Sequence, residues 1–406
     1  MSTRQRLVLI GNGMAGIRLL EELLKRAPQA YDITVIGAEP RGCYNRILLS
    51  PVLAGEKTVD DIITHPPQWY ERQGVRLLSG ERVTHIDRAA RRLKTGSGLD
   101  IGYDRLVLAT GSLPFVPPIE GRDRPGVICF RDIDDVQSML EAARVHRRAV
   151  VIGGGVLGLE AACALRLRGM EVTVIHRAAW LMERQLDPQA AQLLQRSLED
   201  RGLEFRLNAD TVAVEGAERV QALRFADGDR LETDLVVMSV GITPNARLAR
   251  EAGLHCERGV VVDDGLLTSD PAIHALGECV QHRGICYGLV APLYEQAVVL
   301  AQQLLGTDPG VRYDGSLLAT KLKVTGIDVF SAGRHDGGEH CEDIVYRDAR
   351  HGIYRRLVVE DGRLVGGVLY GNTADSAWYL DLIQQGAPLG ALREHLVFGR
   401  ELAEAA

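Results

Sequence analysis

Short apolar runs alternate with helically spaced apolar residues in the first part of the chain. Residues 7–10, 33–36 and 105–109 form nearly continuous apolar runs, which are typical of strands buried in a parallel sheet. Between the first two runs, Ile17, Leu20, Leu23 and Leu24 recur on one face of a helix. This order predicts a strand, a helix and a second parallel strand, with a glycine-rich turn before the helix.

The same order occurs a second time further along the chain. Residues 149–152 and 172–175 are predicted strands, and residues 157–167 are apolar nearly all round, as in a helix packed on a sheet. Each copy opens with a strand and a glycine turn, and each closes with an apolar strand followed by a glycine, at Gly111 and at Gly241. Two such copies predict two Rossmann-like dinucleotide-binding domains of one design.

The pattern changes beyond about residue 310. Two apolar runs at residues 354–359 and 364–370 flank Asp361-Gly362, a strong hairpin signal, and residues 377–385 have the spacing of a short amphipathic helix. Turns at residues 96–98 and 227–228 predict short antiparallel excursions in the two earlier domains. The predicted fold is α/β, with a discontinuous domain at 1–112 and 245–310, a second at 113–244, and a C-terminal α+β domain at 311–406.

Length, net charge and cysteine count indicate which partners and which cellular compartment to expect. A chain of 406 residues suits two or three domains, and a net charge of -7 offers no basic excess to neutralise nucleic acid or an anionic membrane. The first apolar run is far shorter than a signal sequence or a membrane span. Seven cysteines, an odd number without a short pairing pattern, favour a reducing compartment. We therefore expect a cytoplasmic protein that binds neither nucleic acid nor a membrane.

Both glycine turns have the spacing Gly-x-Gly-x-x-Gly between a predicted strand and a predicted helix. The first glycine permits the turn, the second lets a pyrophosphate approach the backbone, and the third lets the helix pack closely. The helix N-terminus supplies N–H groups and a positive dipole to that pyrophosphate. The candidate binding residues are Gly11, Gly13, Met14, Ala15 and Gly16 in the first copy, and Gly153, Gly155, Val156, Leu157 and Gly158 in the second.

The residues after the second strand differ between the copies. Glu39 follows it in the first copy, where an acid accepts hydrogen bonds from a ribose diol. The second copy has His176 and Arg177 there, and a cation accepts a 2′-phosphate that an acid would repel. The pair favours NADPH, and NADH stays open because either side chain would equally well point into solvent.

Together with Ala109-Thr-Gly111 and Thr268-Ser-Asp-Pro-Ala-Ile-His-Ala-Leu-Gly-Glu278, the two loops resemble those of the two-dinucleotide flavoprotein oxidoreductases. Within them the chain looks most like the FAD/NAD(P)H part of the assimilatory or NADH-dependent nitrite reductase large subunit. Four segments carry that closer resemblance: Tyr44-Asn-Arg-Ile-Leu-Leu-Ser50, Leu181-Met-Glu-Arg-Gln-Leu-Asp187, Gly288-Leu-Val-Ala-Pro292 and Lys321-Leu-Lys-Val-Thr-Gly326. The resemblance implies a glutathione-reductase-like arrangement with FAD on the first domain, NADPH or NADH on the second, and an interface domain that can support a homodimer.

The resemblance also implies roles for single residues. Glu39 and the first glycine turn match positions that bind the FAD adenylate, and Arg46 matches a basic residue near the flavin. Thr110 and Gly111 match the turn where the chain leaves the FAD domain. Gly277 and Glu278 match a glycine–acid pair near the FAD ribityl and pyrophosphate, although that acid is usually Asp. Glu160 matches a glutamate beside the nicotinamide, which makes it the candidate catalytic residue.

Two departures from the family limit what the resemblance implies. Many ferredoxin-reductase-like relatives have a lysine soon after the serine that matches Ser50, where it pairs with the glutamate that matches Glu160. This chain has Pro51 instead, so that ion pair is not expected. The chain also shows no four-cysteine cluster and no sirohaem region, and we expect it not to reduce nitrite alone.

Hydride transfer between nicotinamide and flavin needs positioning more than acid–base groups, and the sequence shows no nucleophilic triad or metal site. The leading hypothesis is a reductase that passes electrons from NAD(P)H through FAD to a separate redox partner, such as an iron–sulfur protein, rubredoxin or a nitrate or nitrite reductase component. One alternative is a redox-switched binding protein resembling apoptosis-inducing factor. Another is an NAD(P)H oxidase, which in its single-cysteine form would need Cys43 against the flavin.

Overall fold

The computed structural model describes residues 4–308, 310–324 and 326–405, apart from the side chains of residues 322–324. Thr325 of the segment at 321–326, and the outermost residues of the predicted first and third domains, lie outside this range. The chain divides into two compact units. Unit 1 comprises Met1–Leu49, Lys57–Leu113 and Ile242–Ser316, and unit 2 comprises Ser50–Glu56, Pro114–Gly241 and Leu317–Ala406.

The strands are numbered in chain order. They are β1 (Gln5–Ile10), β2 (Tyr31–Gly37), β3 (Cys43–Tyr44), β4 (Ile63–His65), β5 (Arg76–Ser79), β6 (Val83–Asp87), β7 (Arg92–Thr95), β8 (Asp100–Gly102), β9 (Arg105–Leu108), β10 (Ser112–Pro114), β11 (Val127–Cys129), β12 (Arg148–Ile152), β13 (Glu171–Ile175), β14 (Leu203–Arg206), β15 (Thr211–Glu215), β16 (Ala222–Phe225), β17 (Arg230–Glu232), β18 (Leu235–Met238), β19 (Ile242–Pro244), β20 (Val260–Val262), β21 (Ile273–Ala275), β22 (Val280–His282), β23 (Ala319–Val324), β24 (Ile327–Gly333), β25 (Glu342–Asp348), β26 (Ile353–Glu360) and β27 (Arg363–Tyr370).

The helices follow the same numbering. They are α1 (Met14–Arg26), α2 (Leu49–Ala54), α3 (Val59–Ile62), α4 (Pro67–Arg72), α5 (Ile133–Val145), α6 (Val156–Leu167), α7 (Pro188–Glu199), α8 (Arg247–Glu251), α9 (Val290–Leu305), α10 (Ser376–Gln385), α11 (Leu392–His395) and α12 (Arg400–Ala405), with 3₁₀ turns at Arg46–Leu48 and Leu396–Phe398.

Unit 1 is built on a parallel sheet of order β21-β9-β1-β2-β5. Its central strands are buried on both faces, and α1 packs against α9 through the apolar face that the sequence predicted. Leu19, Leu20 and Leu23 are at most 2% exposed, and each such side chain contributes about 1.5–3 kcal/mol of burial energy. A three-stranded antiparallel sheet, β6-β7-β8, forms the predicted excursion at residues 96–98.

Unit 2 repeats this design and adds a further sheet. A parallel sheet of order β11-β18-β12-β13-β14 carries α6, which is buried almost all round, and β16 and β17 flank the predicted turn at 227–228. The C-terminal residues form an antiparallel sheet of order β23-β24-β27-β26-β25 with α10 packed on it. The Tyr354 hydroxyl donates to Asp187 at 2.8 Å, and this bond helps to join the C-terminal sheet to the rest of unit 2. The predicted fold class, with its internal repeat and C-terminal α+β part, is confirmed.

Candidate functional site

In the glycine turn after β1, neighbouring atoms crowd the first and third glycines, whereas the middle glycine has open space around it. Gly11 has a φ of +116°, and a Cβ there would lie 2.0 Å from the Ala109 carbonyl oxygen. A Cβ on Gly16 would lie 2.5 Å from the Gly11 oxygen, so the helix packs on the turn only without a side chain. A Cβ on Gly13, the N-cap of α1, would have no atom within 4 Å. The open middle glycine beside a helix N-terminus is what the binding of a pyrophosphate requires.

Residues that the sequence did not single out hold this turn in place. The Tyr70 hydroxyl, which is fully buried, donates to the Asn12 side-chain oxygen at 2.6 Å. Burial raises the pKa of Tyr70, so the phenol stays a donor. Gly37, at the end of β2, leaves room for Asn12, because a Cβ there would lie 2.9 Å from the Asn12 Cβ. The position of Asn12 between two glycines could have marked it as a candidate residue, but the sequence did not indicate its partner Tyr70, which is 58 residues away.

Glu39 lies just beyond β2 within a small polar cluster. Its carboxylate accepts from the Tyr44 hydroxyl at 2.7 Å and from the Arg46 guanidinium, and that guanidinium lies 4.9 Å from the centre of the Tyr44 ring. A carboxylate has about four acceptor positions, so further donors, such as ribose hydroxyls, can still bind. Arg46 therefore has a structural partner in Glu39, in addition to any contact with a flavin.

Two further segments of unit 1 contain candidate cofactor-binding residues. The Thr110 hydroxyl donates to the Asn245 carbonyl at 2.7 Å, and Asn245 donates its backbone N–H to the Gly111 carbonyl at 2.9 Å. Gly277 has a φ of +92°, and a Cβ there would lie 3.1 Å from the Ala15 Cβ in the first turn of α1. The structure thus brings Gly277 beside the first turn of α1, which follows the glycine turn.

The side chains around Gly277 and Glu278 include two partners that sequence reasoning missed. Gly277 donates its N–H to the buried Gln296 side chain at 2.8 Å, which fixes the turn from α9. Glu278 accepts from the Ser112 hydroxyl at 2.8 Å. No local pattern predicts either contact, because the partners are 19 and 166 residues apart.

The glycine turn after β12 in unit 2 repeats the construction of the first turn. Gly153 has a φ of +125°, and a Cβ there would lie 2.0 Å from the Ser239 oxygen. A Cβ on Gly158 would lie 2.0 Å from the Gly153 oxygen, whereas one on Gly155 would have no atom within 4 Å. Val156 and Leu157 begin α6, so their N–H groups lie in its unpaired first turn. Gly241, with a φ of +114°, follows β18 and also has open space around its Cβ position.

His176 and Arg177 have partners within unit 2. The His176 Nδ1 accepts from the Gly154 N–H at 3.1 Å, and its Nε2 lies 3.0 Å from a Glu183 carboxylate oxygen. Arg177 is 82% exposed and forms an ion pair with Asp210 at 2.5 Å. The two residues that favoured NADPH are therefore not a pair of free cations beside the turn.

Glu160, on the second turn of α6, accepts from the Ser50 hydroxyl at 2.6 Å. Burial raises the pKa of Glu160, and the Ser50 hydrogen bond acts in the opposite direction. The segment that carries Ser50 is held by Arg168, which donates to the Leu53 carbonyl at 2.6 Å. Position 51 is a proline, so the Ser50 hydroxyl, and not a cation at position 51, supports the half-buried Glu160 carboxylate.

The cysteines do not provide a redox pair. None of the seven forms a disulfide, and Cys43 is 1% exposed with its thiol 3.8 Å from the Tyr44 carbonyl oxygen. Burial raises the pKa of Cys43 to about 11, so the thiolate that a single-cysteine oxidase would need is scarce at neutral pH. Across residues 4–308, 310–324 and 326–405, no three His, Cys, Asp or Glu residues are grouped to hold a metal ion. Nor does that part of the chain contain a helix long and apolar enough to span a membrane.

Each unit contains a glycine turn of the kind that binds a dinucleotide, and the family that the chain matches comprises oxidoreductases that contain FAD and use NAD(P)H. The chain belongs to the pyridine nucleotide-disulphide oxidoreductase family, whose model matches residues 5–303. Residues 319–387 match the C-terminal domain of rubredoxin NAD+ reductase. The predicted resemblance to two-dinucleotide flavoproteins is confirmed.

The chain is similar to several individual proteins over nearly its whole length. It is 47% identical over 386 residues to an NAD(P)H nitrite reductase of Bacillus subtilis strain 168, covering 95% of this chain and 48% of that protein. It is 44% identical over 394 residues to the assimilatory nitrate reductase electron transfer subunit of the same organism, covering 97% and 51%. Among solved structures, putidaredoxin reductase in its covalent complex with putidaredoxin matches with a TM-score of 0.85 and 27% identity, covering 95% and 94%. The chain spans about half the length of these curated relatives.

Proposed function

We propose that this chain takes electrons from NAD(P)H, holds them on FAD, and passes them to a separate redox partner. The observation that carries the proposal is the pair of glycine turns, in which the first and third glycines are closed by packing and the second is open. One dinucleotide site alone would serve an ordinary dehydrogenase, whereas two such sites fit a nicotinamide and a flavin in one protein.

We assign FAD to unit 1 and the nicotinamide nucleotide to unit 2. The residues assigned to FAD are Gly11, Gly13, Met14, Ala15, Gly16, Glu39, Arg46, Thr110, Gly111, Gly277 and Glu278. Those assigned to NAD(P)H are Gly153, Gly155, Val156, Leu157, Gly158, His176, Arg177 and Gly241. In this proposal the FAD domain is residues 1–112 and 245–310, the NAD(P)H domain 113–244, and the interface domain 311–406.

The cofactors supply hydride and electron transfer when bound, and the side chains of this chain bind and orient them. The turns present backbone N–H groups to the pyrophosphates, and Glu39 accepts from a ribose. Glu160 is proposed to lie beside the nicotinamide, where Ser50 holds its carboxylate in one orientation. No side chain has to act as a nucleophile, which is consistent with the buried, protonated Cys43.

The electron acceptor is proposed to be an iron–sulfur protein, a rubredoxin, or a component of a nitrate or nitrite reductase. The support comes from relatives whose names include an electron transfer subunit of nitrate reductase and a reductase joined to putidaredoxin. A role in nitrate assimilation and a homodimer formed through the C-terminal domain are part of the same proposal. Seven cysteines without a disulfide also favour a cytoplasmic location.

The test is an anaerobic titration of the purified protein with NADH and, separately, NADPH, followed by visible absorption. We expect a flavin band near roughly 450 nm that either nucleotide bleaches, and slow reoxidation by O2 compared with an added one-electron acceptor. Gly155→Asp separates nucleotide binding from FAD binding. An acid in the open turn of unit 2 repels a pyrophosphate, whereas the residues assigned to FAD in unit 1 are unchanged. That variant should keep FAD and still bleach with dithionite, yet fail to bleach with nucleotide. A protein that cannot bind FAD, or a bound flavin that neither nucleotide reduces, would refute the proposal.

A further inference from the structure

His176 acts as an uncharged bridge between the glycine turn of unit 2 and an acid. The Gly154 N–H donates to Nδ1 at 3.1 Å, so Nδ1 carries no proton in this arrangement. Nε2 lies 3.0 Å from a carboxylate oxygen of Glu183, which accepts, so Nε2 carries the proton. The tautomer assigned from these partners is therefore the neutral one. The position directly after β13 thus contributes no cation.

The segment that carries Glu183 is anchored to the same glycine. Met182 donates its N–H to the Gly154 carbonyl at 3.0 Å, and its φ of 53° lies in the left-handed region, which residues other than glycine rarely adopt. A Cβ on Gly154 would lie 2.7 Å from the Leu181 side chain and 2.9 Å from the His176 ring. Backbone and side-chain contacts therefore hold Glu183 near the turn, with only the His176 ring between the Glu183 carboxylate and the Gly154 N–H.

Glu183 remains accessible to a ligand. Its side chain is 36% exposed, whereas that of His176 is 11% exposed. Within the described part of the chain only one of its two carboxylate oxygens has a hydrogen-bond partner. The cations nearest in sequence are Arg184, which follows Glu183 directly and is exposed, and Arg177, which is 82% exposed and forms an ion pair with Asp210.

We propose that Glu183, positioned by His176 and Met182, makes this chain select NADH over NADPH. The assignment rests on the proposed function, since it places the adenosine ribose of the nicotinamide nucleotide at the end of β13. The free carboxylate oxygen accepts from a ribose hydroxyl, and its charge repels a 2′-phosphate. In many dinucleotide-binding domains the acid directly follows the second strand of the domain, which is β13 here. In this chain the acid is Glu183, seven residues after His176. Selection comes from a repulsive charge as well as from a hydrogen bond.

The direct test compares two ligands that differ only in the 2′-phosphate, 5′-AMP and 2′,5′-ADP, by calorimetry on the FAD-loaded protein. The wild type should bind 5′-AMP more tightly, and Glu183→Gln should move the ratio of the two dissociation constants toward 2′,5′-ADP by about tenfold. Asp210→Asn releases Arg177 and should move the ratio in the same direction by a smaller factor. Glu199→Gln, an exposed acid paired with Gln195 on α7, is the matched control and should leave the ratio unchanged.

The kinetic counterpart is kcat/KM for NADH and NADPH with ferricyanide as the acceptor, in the same variants. A wild type that prefers NADPH, or a Glu183→Gln protein with an unchanged ligand ratio and normal thermal stability, would overturn the inference. Failure of the proposed function is distinguishable from failure of this inference. If the proposed function is wrong, neither nucleotide reduces the flavin, but the ratio of the dissociation constants for 5′-AMP and 2′,5′-ADP still reports on Glu183.

Discussion

Ser50→Ala tests whether a single hydroxyl supports the half-buried Glu160 carboxylate. The hydroxyl donates at 2.6 Å, and the next residue is Pro51 rather than a cation. Removing a hydrogen bond to a charged group costs about 1.5–3 kcal/mol, whereas removing one to a neutral acid costs about 0.5–1.5 kcal/mol. The expected loss of unfolding free energy therefore depends on whether Glu160 is ionised.

The sign of the pH dependence follows from the raised pKa of Glu160. The unfolded chain releases this proton near pH 4.3, roughly, and the folded chain releases it at a higher pH. Between the two values the folded state binds more protons, so stability falls as pH rises through the folded pKa. Because Ser50→Ala raises that pKa further, its deficit should grow by about 1 kcal/mol between about pH 5 and about pH 8.

The assay is urea unfolding of the FAD-loaded protein, followed by circular dichroism at both pH values. In a Glu160→Gln background the same serine change should cost less and should show no pH dependence, which makes a double-mutant cycle. Ser138→Ala is a matched control, since that exposed helical hydroxyl donates at 2.9 Å to a backbone carbonyl and not to an acid. A deficit that is equal at both pH values, or unchanged by Glu160→Gln, would refute the reasoning.

Three further predictions address the first glycine turn, the Cys43 thiol and a half-buried histidine. Gly11→Ala should destabilise the protein by more than about 3 kcal/mol, because its Cβ would lie 2.0 Å from a carbonyl oxygen, whereas Gly13→Ala should keep normal thermal stability without FAD and lower FAD affinity at least about tenfold. Cys43→Ala should keep flavin reduction by NAD(P)H within about twofold, and wild-type Cys43 should react slowly with Ellman's reagent at neutral pH. Burial lowers the pKa of His274 to about 4, so stability should fall as pH drops from about 6.5 to 4, by up to about 3 kcal/mol, and His274→Phe should flatten that part of a melting-temperature profile.

Each of these has an outcome that would contradict it. Equal FAD loss in Gly11→Ala and Gly13→Ala at equal stability would mean that the two glycines do not have separate roles. Loss of nucleotide-driven flavin reduction in a folded Cys43→Ala protein would restore the thiol mechanism. A His274→Phe profile with the same acid slope as the wild type would place the titrating group elsewhere.

The repeated design of this protein was readable from the sequence because it is written in local signals. An apolar strand, a glycine at a left-handed or crowded position and a helix occupy consecutive residues, so their chemistry appears within a short window. The hairpin at Asp361-Gly362 is of the same kind, with β26 ending at Glu360 and β27 beginning at Arg363 as the turn required. The resemblance to known flavoproteins rested on the two glycine turns together with other short segments, such as Ala109-Thr-Gly111.

The partners of the candidate site residues were decided only by the tertiary structure. Ser50 and Glu160 are 110 residues apart, and the sequence offered only the absence of a lysine near Ser50. The residue type of His176 suggested a cation that binds a phosphate, yet its Nδ1 accepts from the Gly154 N–H and its Nε2 lies against Glu183. Residue type determines what a side chain can donate or accept, whereas packing determines which donor or acceptor it meets. Local propensity therefore predicted the two glycine turns, and packing decided which polar and charged side chains lie beside the second of them.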